Sequence, residues 1–207
     1  MARSRALDYD DKRLAILKRS AQLFAGQGYE RSSMAQLAAS CGVSKALLYH
    51  YYDSKDALLF DVIYAHLQDL LEAVEGADDP ALEPVARLRR LIGALLDAYR
   101  DANDEHAVQI AALKALPPDR QEVLKDLERR LVRTFSAAIA GINPALGGDS
   151  PLLKPVTMSL FGMLNWHYMW FRPAGSISRE DYADLATRLI VEGARVLDLY
   201  AGSGALG

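Results

Sequence analysis

The sequence predicts an all-α protein of about nine helices. Apolar residues recur every three or four positions along most of the 207-residue chain, as they do on the buried face of a helix. No run of strand length alternates apolar with polar residues, and no Asn-Gly or Asp-Gly pair marks a hairpin. Glycines, prolines and capping residues interrupt the periodic segments where helix ends are expected.

The first three predicted helices are short or medium in length. The first covers about 10–25, and the second covers 34–40, where Ser33 and Gln36 have the spacing of a capping box. Ser44 caps the third helix, which continues to about Tyr51. The apolar stripe of the first helix consists of Leu14, Leu17, Ala21 and Phe24.

Six further helices are predicted after residue 54. Ser54 caps a helix that runs to about Glu75, and later helices are separated by breaks at 76–84, 117–118, 143–151 and 173–178. The penultimate helix contains the uncharged run 155–171, which falls short of the ~20 residues that span a membrane. Its Pro155 must lie in the first turns, since proline disrupts a helix interior. Ser178, with Asp181 three residues later, caps the last helix.

Charge is distributed unevenly along a chain whose net charge is −3. Residues 1–55 carry nine Lys and Arg against five acids, a net charge of +4, and the remainder is acidic. A basic N-terminal region followed by an acidic remainder favours contact with phosphate through the N-terminal region only. The single cysteine, Cys41, and the absence of an apolar signal core near Met1 favour a cytoplasmic location.

The most informative segment is 32–59, which predicts two short helices joined by a turn that contains Gly42. This is the pattern of a helix-turn-helix, whose second helix enters the major groove of DNA. Leu37, Ala38, Val43 and Leu48 are expected to form its apolar junction. Hydroxyl, cationic and imidazole groups suit contacts with phosphates and base edges. The predicted DNA-contacting residues are Ser33, Ser44, Lys45, Leu47, Tyr49, His50 and Lys55.

At these residues the sequence resembles the tetracycline-repressor (TetR) family, over about residues 12–60. The features that match are Leu23-Phe24-Ala25, Gly28-Tyr29, Ser32-Ser33, Leu37-Ala38, Gly42-Val43-Ser44, Leu48-Tyr49-His50-Tyr51-Tyr52, Ser54-Lys55 and Leu58-Leu59. Ala46 and Leu47 depart from the pattern, which often has glycine and a small hydroxyl residue there. Apolar contact with thymine methyl groups is therefore expected at this point. The resemblance implies a helix-turn-helix domain at 1–54 and a ligand-binding and dimerisation domain at 55–207.

The C-terminal half resembles a subgroup of this family that regulates breakdown of fatty acids, steroids or aromatic acids and often senses acyl-CoA thioesters. The predicted ligand-binding residues are Tyr99, Phe135, Met163, Trp166, His167 and Trp170. Large aromatics at helical spacing are equally typical of a core or a dimer interface. Arginines near 87–90 and 129–133 are interpreted as solvent-facing, with CoA phosphates as the alternative partners. By the resemblance, the last two helices form the dimer interface, through Leu160, Gly162, Leu164, Leu185, Leu189 and Gly193.

Together these features predict a dimeric repressor that binds a palindromic operator and is released by a small-molecule effector. No cofactor, metal site or membrane contact is expected, and an enzyme is disfavoured because the four histidines form no metal-ligand pattern. Two alternatives remain open, a multidrug-type sensor and a DNA-binding regulator without a ligand. The first is mildly disfavoured because the aromatic run 155–171 contains no acid.

Overall fold

The computed structural model describes residues 2–197, and the side chains of residues 9–197. This part of the chain forms nine α-helices and no strand, which confirms the predicted fold class. Single 3-10 turns lie at Leu113–Ala115 and Pro144–Leu146. The helices are α1 (Ala2–Gln27), α2 (Met34–Ser40), α3 (Lys45–Tyr51), α4 (Lys55–Ala77), α5 (Pro84–Ala98), α6 (Asn103–Ala112), α7 (Pro118–Ile142), α8 (Leu153–Trp170) and α9 (Arg179–Val196).

The chain divides into two compact units. The first contains the described residues up to 68 together with 102–126, and the second contains 69–101 and the described residues from 127 onward. Helices α4 and α7 therefore contribute residues to both units. The domain boundary predicted after residue 54 stays a prediction.

In the first unit, α1 packs against α2 and α6. Its buried face contains Leu17, Ala21 and Phe24, as predicted, but Leu14 is 59% exposed. In that turn of the helix it is Arg13 that lies on the inner side, where it donates to Asp61 on α4 at 2.7 Å. The inclusion of Leu14 in the apolar stripe was therefore wrong, and an ion pair takes its place. Helix α1 also begins earlier than the predicted residue 10.

In the second unit, α9 packs against α5 and α8. The leucines and the isoleucine of α5 are buried, whereas Val85 in its first turn is 36% exposed. Phe135 of α7 is fully buried and meets Phe161 of α8 edge-on at 5.1 Å between ring centroids. Burial of one such ring contributes about 1.5–3 kcal/mol to folding.

Local signals place the beginnings of α8 and α9 as predicted. Pro155 lies in the first turn of α8, where its missing N–H breaks no hydrogen bond. At α9 the Ser178 hydroxyl accepts from the Asp181 amide at 3.0 Å, and the Asp181 carboxylate accepts from the Ser178 amide at 3.0 Å. No helix within residues 2–197 combines the length and apolar character needed to cross a membrane.

Candidate functional site

The turn between α2 and α3 is closed by two backbone hydrogen bonds. The Gly42 amide donates to the Ala39 carbonyl at 3.1 Å, and the Val43 amide donates to the Ala38 carbonyl at 3.0 Å. This Schellman pattern places Gly42 at φ +65°, a left-handed conformation that glycine adopts without steric cost. Gly42 therefore ends α2 and lets the chain turn into α3.

A small apolar junction holds α2 against α3. Leu37 and Leu48 are completely buried, Ala38 is 3% exposed, and Val43 is half-buried. The junction predicted from the sequence is confirmed. Because Leu48 anchors the inner side of α3, the opposite side of this two-turn helix remains in solvent.

The outer surface of α3 carries the predicted DNA-contacting groups. Lys45, Tyr49 and His50 are exposed, Leu47 is half-buried, and the Lys45 ammonium lies 5.7 Å from the centre of the Tyr49 ring. The Ser44 hydroxyl caps the helix by accepting from the Leu47 amide at 3.1 Å. A cation, a phenol and an imidazole thus share one exposed face.

The remaining two predicted contacts differ in their surroundings. Ser33 is exposed at the start of α2, where it forms a capping box with Gln36. Lys55 donates to the carbonyl oxygens of Tyr29, Glu30 and Ser32 at 2.9, 3.4 and 3.1 Å. These carbonyls occupy the ammonium group, so Lys55 holds the segment that precedes α2, and its contact with DNA stays a prediction.

Tyr29 makes a second set of contacts between this segment and α4, which the sequence did not indicate. Its hydroxyl donates to the Asp56 carboxylate, and the Lys55 ammonium lies 4.1 Å from its ring centre. Burial and the Asp56 carboxylate raise the pKa of Tyr29. The end of α1 is therefore tied to the start of α4, behind the helix-turn-helix. Tyr52, which caps the C-terminus of α3, is 5% exposed.

The six predicted ligand-binding residues do not share one environment. Tyr99 and Phe135 are buried, and the Tyr99 hydroxyl donates to Asn165 at 2.8 Å. Trp166 and Trp170 are 56% and 45% exposed, and Met163 is half-buried.

His167 is 2% exposed and lies between the rings of Phe171 and Tyr182, at 4.3 and 5.0 Å between centroids. Burial, followed by the charge of Arg179, lowers the pKa of His167 to about 4, so its ring is neutral at pH 7. Its Nε2 is buried without a hydrogen-bond partner.

A pocket of about 530 Å³ opens in the second unit between α5, the start of α9 and the segment that joins α8 to α9. None of the six predicted ligand-binding residues lines it. Its lining is rich in guanidinium groups and consists of Arg89, Gly93, Asp97, Arg100, Phe171, Pro173, Ser178, Arg179, Glu180 and Ala183.

The predicted dimer residues fall into two groups. Leu185 and Leu189 are 45% and 56% exposed, and Gly162 and Gly193 also lie at the surface. Leu160 and Leu164 are fully buried within their own unit, because they form the side of α8 that faces the core. They are unavailable to a partner. The exposed large apolar residues of the two helices are Met158, Trp166, Met169 and Trp170 on α8, and Leu185, Leu189 and Val196 on α9.

Two family models match the chain. One, described as the C-terminal domain of tetracyclin repressor-like proteins, covers residues 81–194, and the other, described as bacterial regulatory proteins of the tetR family, covers residues 16–62.

Individual proteins of known sequence or structure are also similar. The HTH-type transcriptional regulator HbdR of Aromatoleum sp. is 29% identical over 78% of this chain and 69% of its own length. A TetR-family regulator from Bordetella parapertussis superposes with a TM-score of 0.81, at 34% identity over 86% of this chain and 93% of the other. AibR in complex with isovaleryl coenzyme A and operator DNA superposes with a TM-score of 0.75, at 26% identity over 86% and 97% of the two chains.

Proposed function

The chain belongs to the TetR family of bacterial transcriptional regulators, and we propose that it is a dimeric repressor released from a palindromic operator by a small-molecule effector. The supporting observation is the exposed face of α3 on a helix-turn-helix closed by Gly42. In proteins with this motif the second helix lies in the major groove, and its side chains contact bases and phosphates.

The proposed contacts follow from the chemistry of each exposed side chain. Lys45 neutralises a phosphate, and the Tyr49 hydroxyl donates to a phosphate oxygen. His50 reaches a base edge or phosphate, and Leu47 offers an apolar surface to a thymine methyl group. Ser33 and Ser44 present hydroxyls at the starts of the two helices.

Dimerisation is proposed through the exposed apolar residues of α8 and α9. Leu185, Leu189 and Val196 recur along one side of α9 with about half of each side chain in solvent. Several large apolar residues on adjacent helices form the kind of patch that marks a protein interface. A two-fold axis then presents two copies of α3 to half-sites about one DNA turn, or ~34 Å, apart.

The effector is proposed to be an acyl-CoA or a related aromatic or lipid metabolite. Support comes from AibR, which has been crystallised with isovaleryl coenzyme A and operator DNA. The effector acts only if it binds the released conformer more tightly than the DNA-bound one. Helix α4 contributes residues to both compact units, so we propose that it transmits the change.

Fluorescence anisotropy tests the DNA contacts, with an operator selected from genomic fragments. Lys45→Ala and Tyr49→Ala are each expected to weaken binding by about 1–3 kcal/mol. Lys125→Ala, which removes the same charge from α7, is the matched control and is expected to bind normally. Normal binding by both α3 variants would refute the contacts.

The same assay tests release. Isovaleryl coenzyme A and a panel of longer acyl and aromatic thioesters are added to the protein–operator complex. A fall in anisotropy, with a rise in melting temperature of the free protein, is expected for at least one member. Unchanged anisotropy and melting temperature across the panel would contradict effector control.

A further inference from the structure

The pocket between α5 and α9 has an unusual balance of charge. Three arginines, Arg89, Arg100 and Arg179, line it. Arg89 pairs with Asp184, and Arg100 pairs with Asp97 at 2.6 Å. Arg179 has no carboxylate within 4.0 Å among the described residues. The pocket therefore holds a guanidinium whose charge no acidic side chain neutralises at contact distance.

Arg179 is also held in place by an aromatic ring, although its Nε–H has no acceptor. Its guanidinium carbon lies 4.6 Å from the centre of the Phe171 ring, and its Nε is buried with no acceptor. Burial, followed by the charge of Arg100, lowers the pKa of Arg179, and the carboxylates of Asp97 and Asp101 oppose that shift only in part. A buried donor without an acceptor costs about 1–3 kcal/mol, a cost that a bound acceptor would remove.

A second unsatisfied polar atom belongs to the same aromatic cluster. The buried Nε2 of His167 lacks a partner, and its ring stacks on Phe171, the ring that supports Arg179. Phe171, in the lining of the pocket, therefore contacts two side chains that each have a buried nitrogen without a hydrogen-bond partner.

We propose that this pocket binds the phosphate of a nucleotide. The inference rests on the proposed function, in which that nucleotide is the adenosine 3′,5′-bisphosphate end of a coenzyme A thioester. A guanidinium group can donate two parallel hydrogen bonds to a phosphate, and the Nε–H of Arg179 is a donor that has no acceptor in the chain. Asp97 and Glu180, also in the lining, are acceptors for ribose hydroxyl or base N–H groups. The volume lies in the range of small-molecule sites.

Isothermal titration calorimetry on the full chain, at 0.15 M NaCl and without DNA, tests the site directly. Adenosine 3′,5′-bisphosphate is expected to bind at least tenfold more tightly than adenosine, and more tightly than inorganic phosphate. Equal binding of adenosine would show that phosphate is not recognised. Equal binding of inorganic phosphate would show that the site takes a free anion. Either result, or no binding of the bisphosphate, overturns the proposal.

Variants connect the binding to the pocket. Arg179→Gln and Arg100→Gln are each expected to weaken bisphosphate binding at least tenfold. Arg90→Gln serves as the control, because Arg90 lies on the same helix as Arg89 but outside the lining. Arg100 is exposed, so its variant keeps the test valid if Arg179→Gln fails to fold. Unchanged binding by the folded pocket variants, or equal loss in Arg90→Gln, overturns the assignment.

The two proposals fail in different ways. If thioesters release the operator equally well from wild type and from Arg179→Gln, the pocket assignment falls and effector control stands. If the bisphosphate binds through Arg179 but no thioester moves the anisotropy, the pocket stands and effector control falls.

Discussion

The imidazole rings of His66 and His106 face each other in the interior of the first unit, with Nε2 of the former 3.4 Å from Nδ1 of the latter. Both residues are almost fully buried, at 3% and 2% exposure. Burial, the neighbouring His106 and the charge of Lys18 lower the pKa of His66 to about 3. The pair therefore joins α4 to α6 with His66 uncharged at neutral pH.

We expect acid to destabilise the protein through this pair. Between pH 6.5 and 3 the unfolded His66 binds a proton that the folded residue does not, so the free energy of unfolding falls as the pH falls. The slope from one such group is at most about 1.4 kcal/mol per pH unit. Urea unfolding at pH 7, 6 and 5 measures it. His167, whose pKa is also lowered, adds to the same slope.

His66→Gln isolates the contribution of this residue. The variant is expected to show a shallower pH slope than wild type, whatever its stability at pH 7, since only the slope reports the missing proton. His50→Gln, which makes the same change at an exposed histidine on α3, is measured beside it as the matched variant. An identical slope in His66→Gln and wild type would exclude the pair as the source.

Lys55 and Lys45 are expected to separate stability from DNA binding. Lys55→Gln removes the charged donor from three backbone carbonyls and is expected to lower the free energy of unfolding by about 1–3 kcal/mol. Lys45→Ala alters an exposed side chain and is expected to change it by less than about 0.5 kcal/mol. Urea unfolding of both variants, beside operator titrations, measures the separation. A Lys55→Gln variant of normal stability would show that these three hydrogen bonds contribute nothing to the free energy of unfolding.

Gly42 is expected to be intolerant of a side chain although the space around it is open. No atom lies within 4 Å of an added Cβ, so the cost of Gly42→Ala arises from its φ of +65°. A non-glycine residue in the left-handed region costs about 1–2 kcal/mol. Gly26→Ala, within α1 and equally open, is the control and is expected to be neutral or slightly stabilising. Thermal unfolding of the pair measures the difference, and equal stability would place the strain elsewhere.

Local chemistry explains why the helix starts were predictable. Ser33, Ser44 and Ser178 each cap the helix that follows, and the signal needs only residues within three positions. Leu48 was recognisable as a core residue because the spacing of apolar residues along the chain follows the period of a helix, and Leu48 is indeed buried. Leu14 was wrongly predicted to be buried. The neighbouring Arg13 pairs with a carboxylate 48 residues away, and periodicity does not reveal such a contact.

Long-range partners explain what the sequence did not reveal. The sequence shows that Lys55 is charged, but not that three carbonyls surround it. The pocket arginines, Arg89, Arg100 and Arg179, are up to 90 positions apart, and only packing of α5 against α9 makes them neighbours. Leu160 and Leu164 share a helix with the exposed Trp166, and their inward orientation depends on which side of α8 meets the core.

Leu189 provides the sharpest test of the proposed dimer. It is 56% exposed in the described chain, so Leu189→Asp is expected to cost the monomer little. In a dimer formed through α9, the same carboxylate is buried without a partner, at a cost of several kcal/mol per copy. Analytical ultracentrifugation at micromolar concentration is therefore expected to show a dimer for wild type and a monomer for the variant.

The control for this test is Val123→Asp, which places the same charge at an apolar residue of α7 that is 46% exposed. It is expected to remain dimeric and to bind the operator normally. The Leu189→Asp monomer contacts only one half-site, and loss of the tethered second contact is expected to weaken operator binding by at least about a hundredfold. A dimeric Leu189→Asp, or a monomeric Val123→Asp, would contradict an interface built from α9. Tight operator binding by a monomeric Leu189→Asp would instead contradict recognition by two copies of α3.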